Sequence, residues 1–524
     1  MNRSTLLLIL LFLSGLAAAS QRPNVIVVLL DDMGYSDLGV MGSEIATPSI
    51  DYLARQGVTV TNFYVYPRCS PTRAALLTGR APHSVGMGFL TTPAWAKPDA
   101  GSYQGYLDPA SVTLAELLQG AGYKTYMSGK WHLGELEENW PLRHGFDRYF
   151  GLISGASSYY EIIVDQPLER RMAQGDQRWY PPEEDFYLTD EISKLARLYL
   201  EDHMKSQKKT PFFLYLAYSA PHWPLHAPSS QVEQYVHAYT SGPNEILKNR
   251  IKAMRHQGRM AQNQAVNIVE MTGFRHADGD QARLMATYAA QITEVDRGLG
   301  ALVEMLRKHD ELDNTLILVM SDNGATAVDV TSRKLHQAGV PVGEKGSYLS
   351  YGPDWAGVSN APFRAHKGTT FEGGVRSPLV VFWPDGLVKT GSFDQESIVS
   401  VEDIFPTIAT VVNQPVPNEI DGEDFSKVFS GRKSTRSAPV FVEHAGWRSV
   451  RDGAWKAVFS PDQQQWMLFN LEEDSAEQHD LAELNSERLT GMAKAWTKWS
   501  QRVGTDGFNA QEFMKYFQPR PRGK

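Results

Sequence analysis

The sequence predicts a doubly wound α/β domain on a mixed, mostly parallel sheet with helices on both faces, followed by a smaller α+β subdomain with an antiparallel sheet. Three observations predict it. Four short apolar runs rich in β-branched and aromatic residues, at 25–30, 123–127, 212–218 and 315–320, each end abruptly in polar, chemically capable residues. Helical periodicity fills the intervals, most clearly at 49–56, 113–119 and 282–308, and such alternation favours parallel pairing. Past about residue 415 the pattern changes to short β-like runs at 440–443, 449–450, 455–459 and 467–471, and then a helical stretch from about 476 to 502.

At the N-terminus, Arg3 precedes the apolar run 6–13 and the small residues of 14–21, the order of a secretory signal. Residues 1–20 are therefore expected to be a signal peptide and the mature protein to be exported, to the periplasm in a double-membraned bacterium and otherwise into the medium. The run falls short of the roughly 20 apolar residues a membrane span needs, and no later stretch approaches that length. Residues 21–415 are expected to form the first domain and 416–524 the second.

Lys and Arg number 51 against 60 Asp and Glu, a balance that offers no footing for nucleic acid or an anionic membrane. A small anionic substrate would need positive charge gathered locally. The chain has 1 cysteine, so no intrachain disulfide can form, and stability rests on packing and bound metal.

The first run ends in Asp31-Asp32-Met33-Gly34 and the fourth in Ser321-Asp322-Asn323-Gly324. These side chains offer only oxygen, the donor set for a hard divalent cation, calcium in preference to magnesium, and not for zinc. The cysteine lies in Cys69-Ser70-Pro71-Thr72-Arg73, where Ser70 reads as an N-cap and Pro71 as the first helical residue. Cys69 then stands at the positive end of a helix, with Arg73 one turn on, placed to hold an anion or activate it. The second run leads to Lys130-Trp131-His132, which in an extended segment puts Lys130 and His132 on one face. The third leads to Pro221-His222-Trp223-Pro224, where the prolines restrict a His suited to protonating a leaving oxygen. Lys367 lies in a loop whose Gly373-Gly374 precedes a further strand at 379–382. In open α/β sheets the ligand site lies beyond the carboxyl ends of the strands, where all these clusters fall. The polar helical stretch 231–280 and the loop-like stretch 325–360 read as insertions around the mouth of that site.

Asp31-Asp32-x-Gly34, Cys69-x-Pro71-x-Arg73, Gly129-Lys130-Trp131-His132-Leu133-Gly134, Pro221-His222, Ser321-Asp322-Asn323-Gly324, and His366-Lys367-Gly368 with Glu372-Gly373-Gly374 resemble, in order and residue type, the type I sulfatases of the alkaline phosphatase superfamily. Residues 47–54 and 466–471 are similar to that family's segments as well, and 351–356 is similar to its arylsulfatase branch. The resemblance implies a sulfuric ester hydrolase acting on an aryl or carbohydrate sulfate. It implies that a formylglycine-generating or sulfatase-maturing enzyme converts Cys69 to formylglycine before export. Asp31, Asp32, Asp322 and Asn323 would hold one calcium ion, which with Arg73 would steady the aldehyde hydrate. Lys130, Lys367 and His222 would contact the sulfate oxygens, and Asp322 would help deprotonate the attacking hydroxyl. His222 would protonate the departing alcohol, and His132 would assist the second step, in which the remaining hydroxyl expels sulfate. A phosphodiester or phosphonate hydrolase on the same fold is the alternative, since fold is a poor guide to substrate. A non-catalytic anion binder with unmodified Cys69 is a further one.

Overall fold

The run at 25–30 folds as the strand Asn24–Leu30, buried along its whole length at the centre of an eleven-stranded sheet in the computed structural model. The structure describes residues 22–93, 96, 101–165, 168–207, 209–267, 280–330, 335–505, 513 and 515. The expected signal peptide lies outside them, as does part of the expected insertion at 231–280. The other three apolar runs become Lys124–Gly129, Phe212–Ala217 and Thr315–Ser321. Together with Arg148–Leu152 they form a parallel block in the order Thr315–Ser321, Asn24–Leu30, Phe212–Ala217, Lys124–Gly129, Arg148–Leu152. Arg376–Phe382 joins antiparallel beside Thr315–Ser321, which makes the sheet mixed.

Strands covered on both faces read as continuous apolar runs, because alternate side chains enter different layers. Ile26, Val28 and Leu30 pack with the helices Pro48–Gln56, Leu188–Ser206 and Gln281–Lys308. Val25, Val27 and Leu29 pack with Cys69–Thr78, Leu114–Gly120 and Ile404–Val411. Burying each such side chain contributes about 1.5–3 kcal/mol, so the sheet centre is the stiffest platform the chain offers.

The second sheet is an antiparallel meander of Val440–His444, Trp447–Asp452, Trp455–Ser460 and Gln465–Asn470. The helix Ser486–Val503 covers one face through Trp496 and Trp499.

Three local expectations need correction. The helix at the cysteine begins at Cys69 with Arg68 as N-cap, and Ser70 makes no cap; its buried Oγ has no partner among the described residues. Thr72 fixes the start instead, its Oγ1 accepting from Tyr66 N and donating to Tyr66 O, both at 3.0 Å. The terminal helix begins at Ser486 and not near 476, because side chains hold the preceding segment in turns. Asp474 Oδ2 accepts from the backbone of Gln478 and His479, and Asp480 Oδ1 from Leu468 and Ala482. Within 325–360, expected as loop, Gly352–Ser359 is helical, with Pro353 in its first turn.

Candidate active site

Register brings the polar strand ends together. Leu30 pairs with Ser321, and Ala217 pairs with both Leu29 and Gly129, so four strands finish at one level. Asp31, Asp322, Lys130 and the segment carrying His222 therefore leave the sheet side by side. Gly129 permits this, since its φ of 125° is left-handed and a Cβ there would lie 1.8 Å from the Ala217 carbonyl oxygen.

The ten residues singled out from sequence form one buried polar cluster. Asn323 Nδ2 donates to Asp32 Oδ1 at 2.7 Å, and Asp322 Oδ1 accepts from Asp32 N at 3.3 Å. Lys367 Nζ pairs with the same Asp32 oxygen and stands 3.3 Å from Cys69 Sγ. Lys130 Nζ pairs with Asp31 Oδ2. His222 Nε2 lies 3.7 Å from Asp32 Oδ2, while its Nδ1 donates to the Trp223 carbonyl.

Arg73 and His132 sit differently from expectation. Arg73 is turned toward Asp322: Nε and Nη2 donate to Asp322 Oδ2 at 3.1 and 2.8 Å, and Nη1 to the Lys130 carbonyl at 2.9 Å. Nη2 also lies 3.5 Å from Asp31 Oδ2, so Arg73 braces the carboxylates of the cluster. Lys130 and His132 do not share the face of an extended segment. The strand ends at Gly129, His132 takes a φ of 55°, and the backbone of Trp131 and His132 donates to Leu152 and Ile153. The His132 ring packs where only glycine fits, since a Cβ on Gly155 would lie 2.4 Å from Nε2.

Three buried acceptors, Asp31 Oδ1, Asp32 Oδ2 and Asn323 Oδ1, have no hydrogen-bond partner among the described residues. Buried carboxylate oxygens are rarely left so, and donor atoms of Asp31, Asp32, Cys69 and His222 all lie within 4.8 Å of one another. The oxygens fit a hard divalent cation. Asp322 is not orphaned, since Oδ1 accepts from Asp32 N and Oδ2 from Arg73, yet each carboxylate oxygen keeps a second lone pair that can serve a cation.

The cluster's fields follow from its charges. Burial and the Asp31 carboxylate push Asp322 up to about 6 against the pull of Arg73 and Lys130. Burial also raises Asp32, but Lys367 and His222 outweigh it and hold the carboxyl well below its usual range. Burial pushes the Cys69 thiol up despite Lys130 and Lys367. His132 and His222 are driven well below the usual imidazole value, chiefly by burial and also by the neighbouring lysines.

Residues 23–413 match the sequence profile of the family described as Sulfatase. The chain belongs to the sulfatase family. The sulfatase is 33% identical to an uncharacterised sulfatase of Schizosaccharomyces pombe, over 93% of this chain and 95% of that protein. It is 32% identical to an arylsulfatase of Klebsiella aerogenes, over 75% of this chain and 87% of that one. Among solved structures, Ps i-CgsB in complex with k-i-k-neocarrahexaose is similar with a TM-score of 0.71 at 28% identity, covering 95% of this chain and 98% of that one. The alkaline phosphatase-like architecture expected from the motifs is thus present.

Sequence reasoning missed the support behind the sulfatase's Lys367 loop. Glu372 Oε1 accepts from Lys456 Nζ at 2.7 Å, and Glu372 Oε2 from Arg376 and Tyr64. Lys456 also pairs with Glu477 at 2.9 Å, and Glu477 Oε2 accepts the Glu372 backbone N–H at 2.7 Å. A readable signal existed: Lys456 alternates with Val458 on the inward face of its strand, an unusual place for a lysine.

Proposed function

We propose that this sulfatase releases inorganic sulfate from an aryl or carbohydrate sulfate ester, using formylglycine made from Cys69 and one calcium ion held by Asp31, Asp32, Asp322 and Asn323. The observation that carries the reading is the convergence of Cys69 Sγ, at the head of its helix, with Lys367 Nζ 3.3 Å away and with three orphaned oxygens. Formylglycine supplies a hydrated aldehyde nucleophile and calcium supplies positive charge beside it.

The chain's own groups take the remaining roles. Lys130, Lys367 and His222 bind the sulfate oxygens, concentrating positive charge that a net acidic protein otherwise lacks. Asp322, whose carboxylate Arg73 fixes, accepts a proton from the attacking hydroxyl. His222 presents Nε2 to the cluster because Nδ1 is tied to Trp223, and a bound anionic ester offsets Lys130 and Lys367, so the ring can carry the proton the leaving oxygen takes. His132, neutral and with Nδ1 free of partners among the described residues, accepts a proton in the step that frees sulfate.

Cys69 is 2% exposed, so its conversion by a formylglycine-generating or sulfatase-maturing enzyme comes before the fold closes and before export. We assign 1–20 as the signal peptide, 21–415 as the catalytic domain and 416–524 as the C-terminal subdomain. No described helix is long and apolar enough to cross a membrane. The relative solved with k-i-k-neocarrahexaose supports testing carbohydrate esters beside aryl ones. A matched series of aryl sulfates, sugar sulfates, phosphate esters and phosphonate esters tests the reading. Sulfate release is expected to dominate, and faster hydrolysis of phosphonates or phosphate diesters would overturn it.

A further inference from the structure

Away from the catalytic cluster, a cavity of about 660 Å³ opens between the large sheet and the C-terminal sheet, and none of the ten site residues lines it. Its volume lies in the range of small-ligand sites. Its wall is basic: Arg259, Arg376, Lys433, Arg436 and Arg451 all contribute. The carboxylates that share the lining, Glu396, Asp452 and Glu472, are solvent-exposed, whereas the four arginines are buried or half-buried.

Three of those guanidinium groups have acceptors in the protein. Arg376 donates to Glu372 and the Thr61 carbonyl, Arg436 to Asp403, and Arg259 to the Val40 carbonyl. Arg451 differs. It is 7% exposed, its guanidinium lies 6.0 Å from the Tyr64 ring, and its Nε and Nη1 have no hydrogen-bond partner among the described residues. The nearby Glu372 carboxylate feels the Arg451 charge, but its two oxygens already accept from Lys456, Arg376 and Tyr64. Buried N–H donors left without an acceptor are costly, and the N–H groups of a guanidinium are strong donors to an oxyanion.

We propose that this cavity is a second anion-binding site, in which Arg451 grips the sulfate, phosphate or carboxylate group of a small ligand. Lys433, held only at 3.8 Å from Glu396, adds attraction from the rim. The apolar side chains of Phe363 and Ile398 in the same lining offer packing for the rest of the molecule. The site stands independently of the chemistry assigned to Cys69.

Crystals of the wild-type protein soaked in sodium selenate give the direct test. An anomalous peak within hydrogen-bond distance of Arg451 is expected, in addition to any peak in the catalytic cluster. Competing soaks with sodium sulfate, sodium phosphate and sodium acetate identify which oxyanion the site prefers. In solution, calorimetric titration with sodium sulfate is expected to show a binding event that Arg451→Gln weakens at least tenfold and Lys433→Gln weakens severalfold. The rim variant touches no buried contact and keeps the test sound if Arg451→Gln folds poorly. Selenate confined to the catalytic cluster, or titrations unchanged in both variants, overturns the proposal. Loss of the catalytic-cluster peak alone would count against the proposed function and leave this site standing.

Discussion

Replacing Lys456 by methionine removes the one cation that serves two buried carboxylates, and the structure sets the size of the effect. Lys456 is 1% exposed and its partners Glu372 and Glu477 are 0% exposed. Burial raises Glu372, but Lys456, Arg376 and Arg451 outweigh it and hold the carboxyl at about 2. Its stabilisation is therefore complete above the unfolded value and lost as pH falls from about 4.5 toward about 2. Glu477 is pushed the other way, to about 7, by burial and the Glu372 charge. It costs stability above that pH, and the cost fades as pH falls toward about 4.5. Each displacement corresponds to about 3 kcal/mol of opposite sign, so at neutral pH they nearly cancel, and Lys456 maintains that balance. Removing one member of such a network costs about 3–5 kcal/mol. Urea unfolding followed by tryptophan fluorescence is expected to show this loss at about pH 8, falling to about 1–2 kcal/mol at about pH 5, where Glu477 already carries a proton. Adding Glu477→Gln is expected to restore at least half of it. Because Lys367 lies in the loop that Glu372 anchors, kcat/KM falls with it. A loss under about 1 kcal/mol at about pH 8, or one that does not change with pH, would refute the reasoning.

His222→Ala is expected to lose about 10²–10⁴-fold on sulfate esters of poorly acidic alcohols and far less on esters of acidic phenols, measured in single turnovers; equal fractional loss across leaving groups would reassign His222 to sulfate binding. His132→Ala is expected to give a burst of alcohol or phenol followed by a slow steady state, and a linear time course with reduced slope would remove it from the second step. Asp322→Ala is expected to lose both metal and activity, with about one calcium per chain in the wild type by elemental analysis; stoichiometric zinc without calcium or magnesium in active enzyme would contradict the oxygen donor set.

Much of the framework was legible in the sequence because buried parallel strands announce themselves as unbroken apolar runs. The residues 25–30, 212–218 and 315–320 became central strands within a residue or two of their expected ends. Their polar terminations were legible for the same reason: a strand end is where the chain passes from core to crevice. Orientation within the cluster was not legible, since it depends on long-range partners. Arg73 points at Asp322 and not at an anion because that carboxylate, 249 residues away, lies at hydrogen-bond distance. His132 leaves the expected face because Leu152 and Ile153 claim the backbone beside it. Ser70 does not cap its helix because Thr72 already closes the turn onto Tyr66. The Lys456 network joins two sheets whose contact no local pattern encodes, although an inward lysine on a half-buried strand was a signal that could have been followed.

The central claim is that residue 69 works as formylglycine. Peptide mass spectrometry of catalytically active protein tests it most directly, with turnover measured on the same preparation. The peptide containing residue 69 is expected to carry an aldehyde in proportion to activity, and Cys69→Ala is expected to fold normally and turn nothing over. Full turnover by protein that carries only the thiol at residue 69 would contradict the claim.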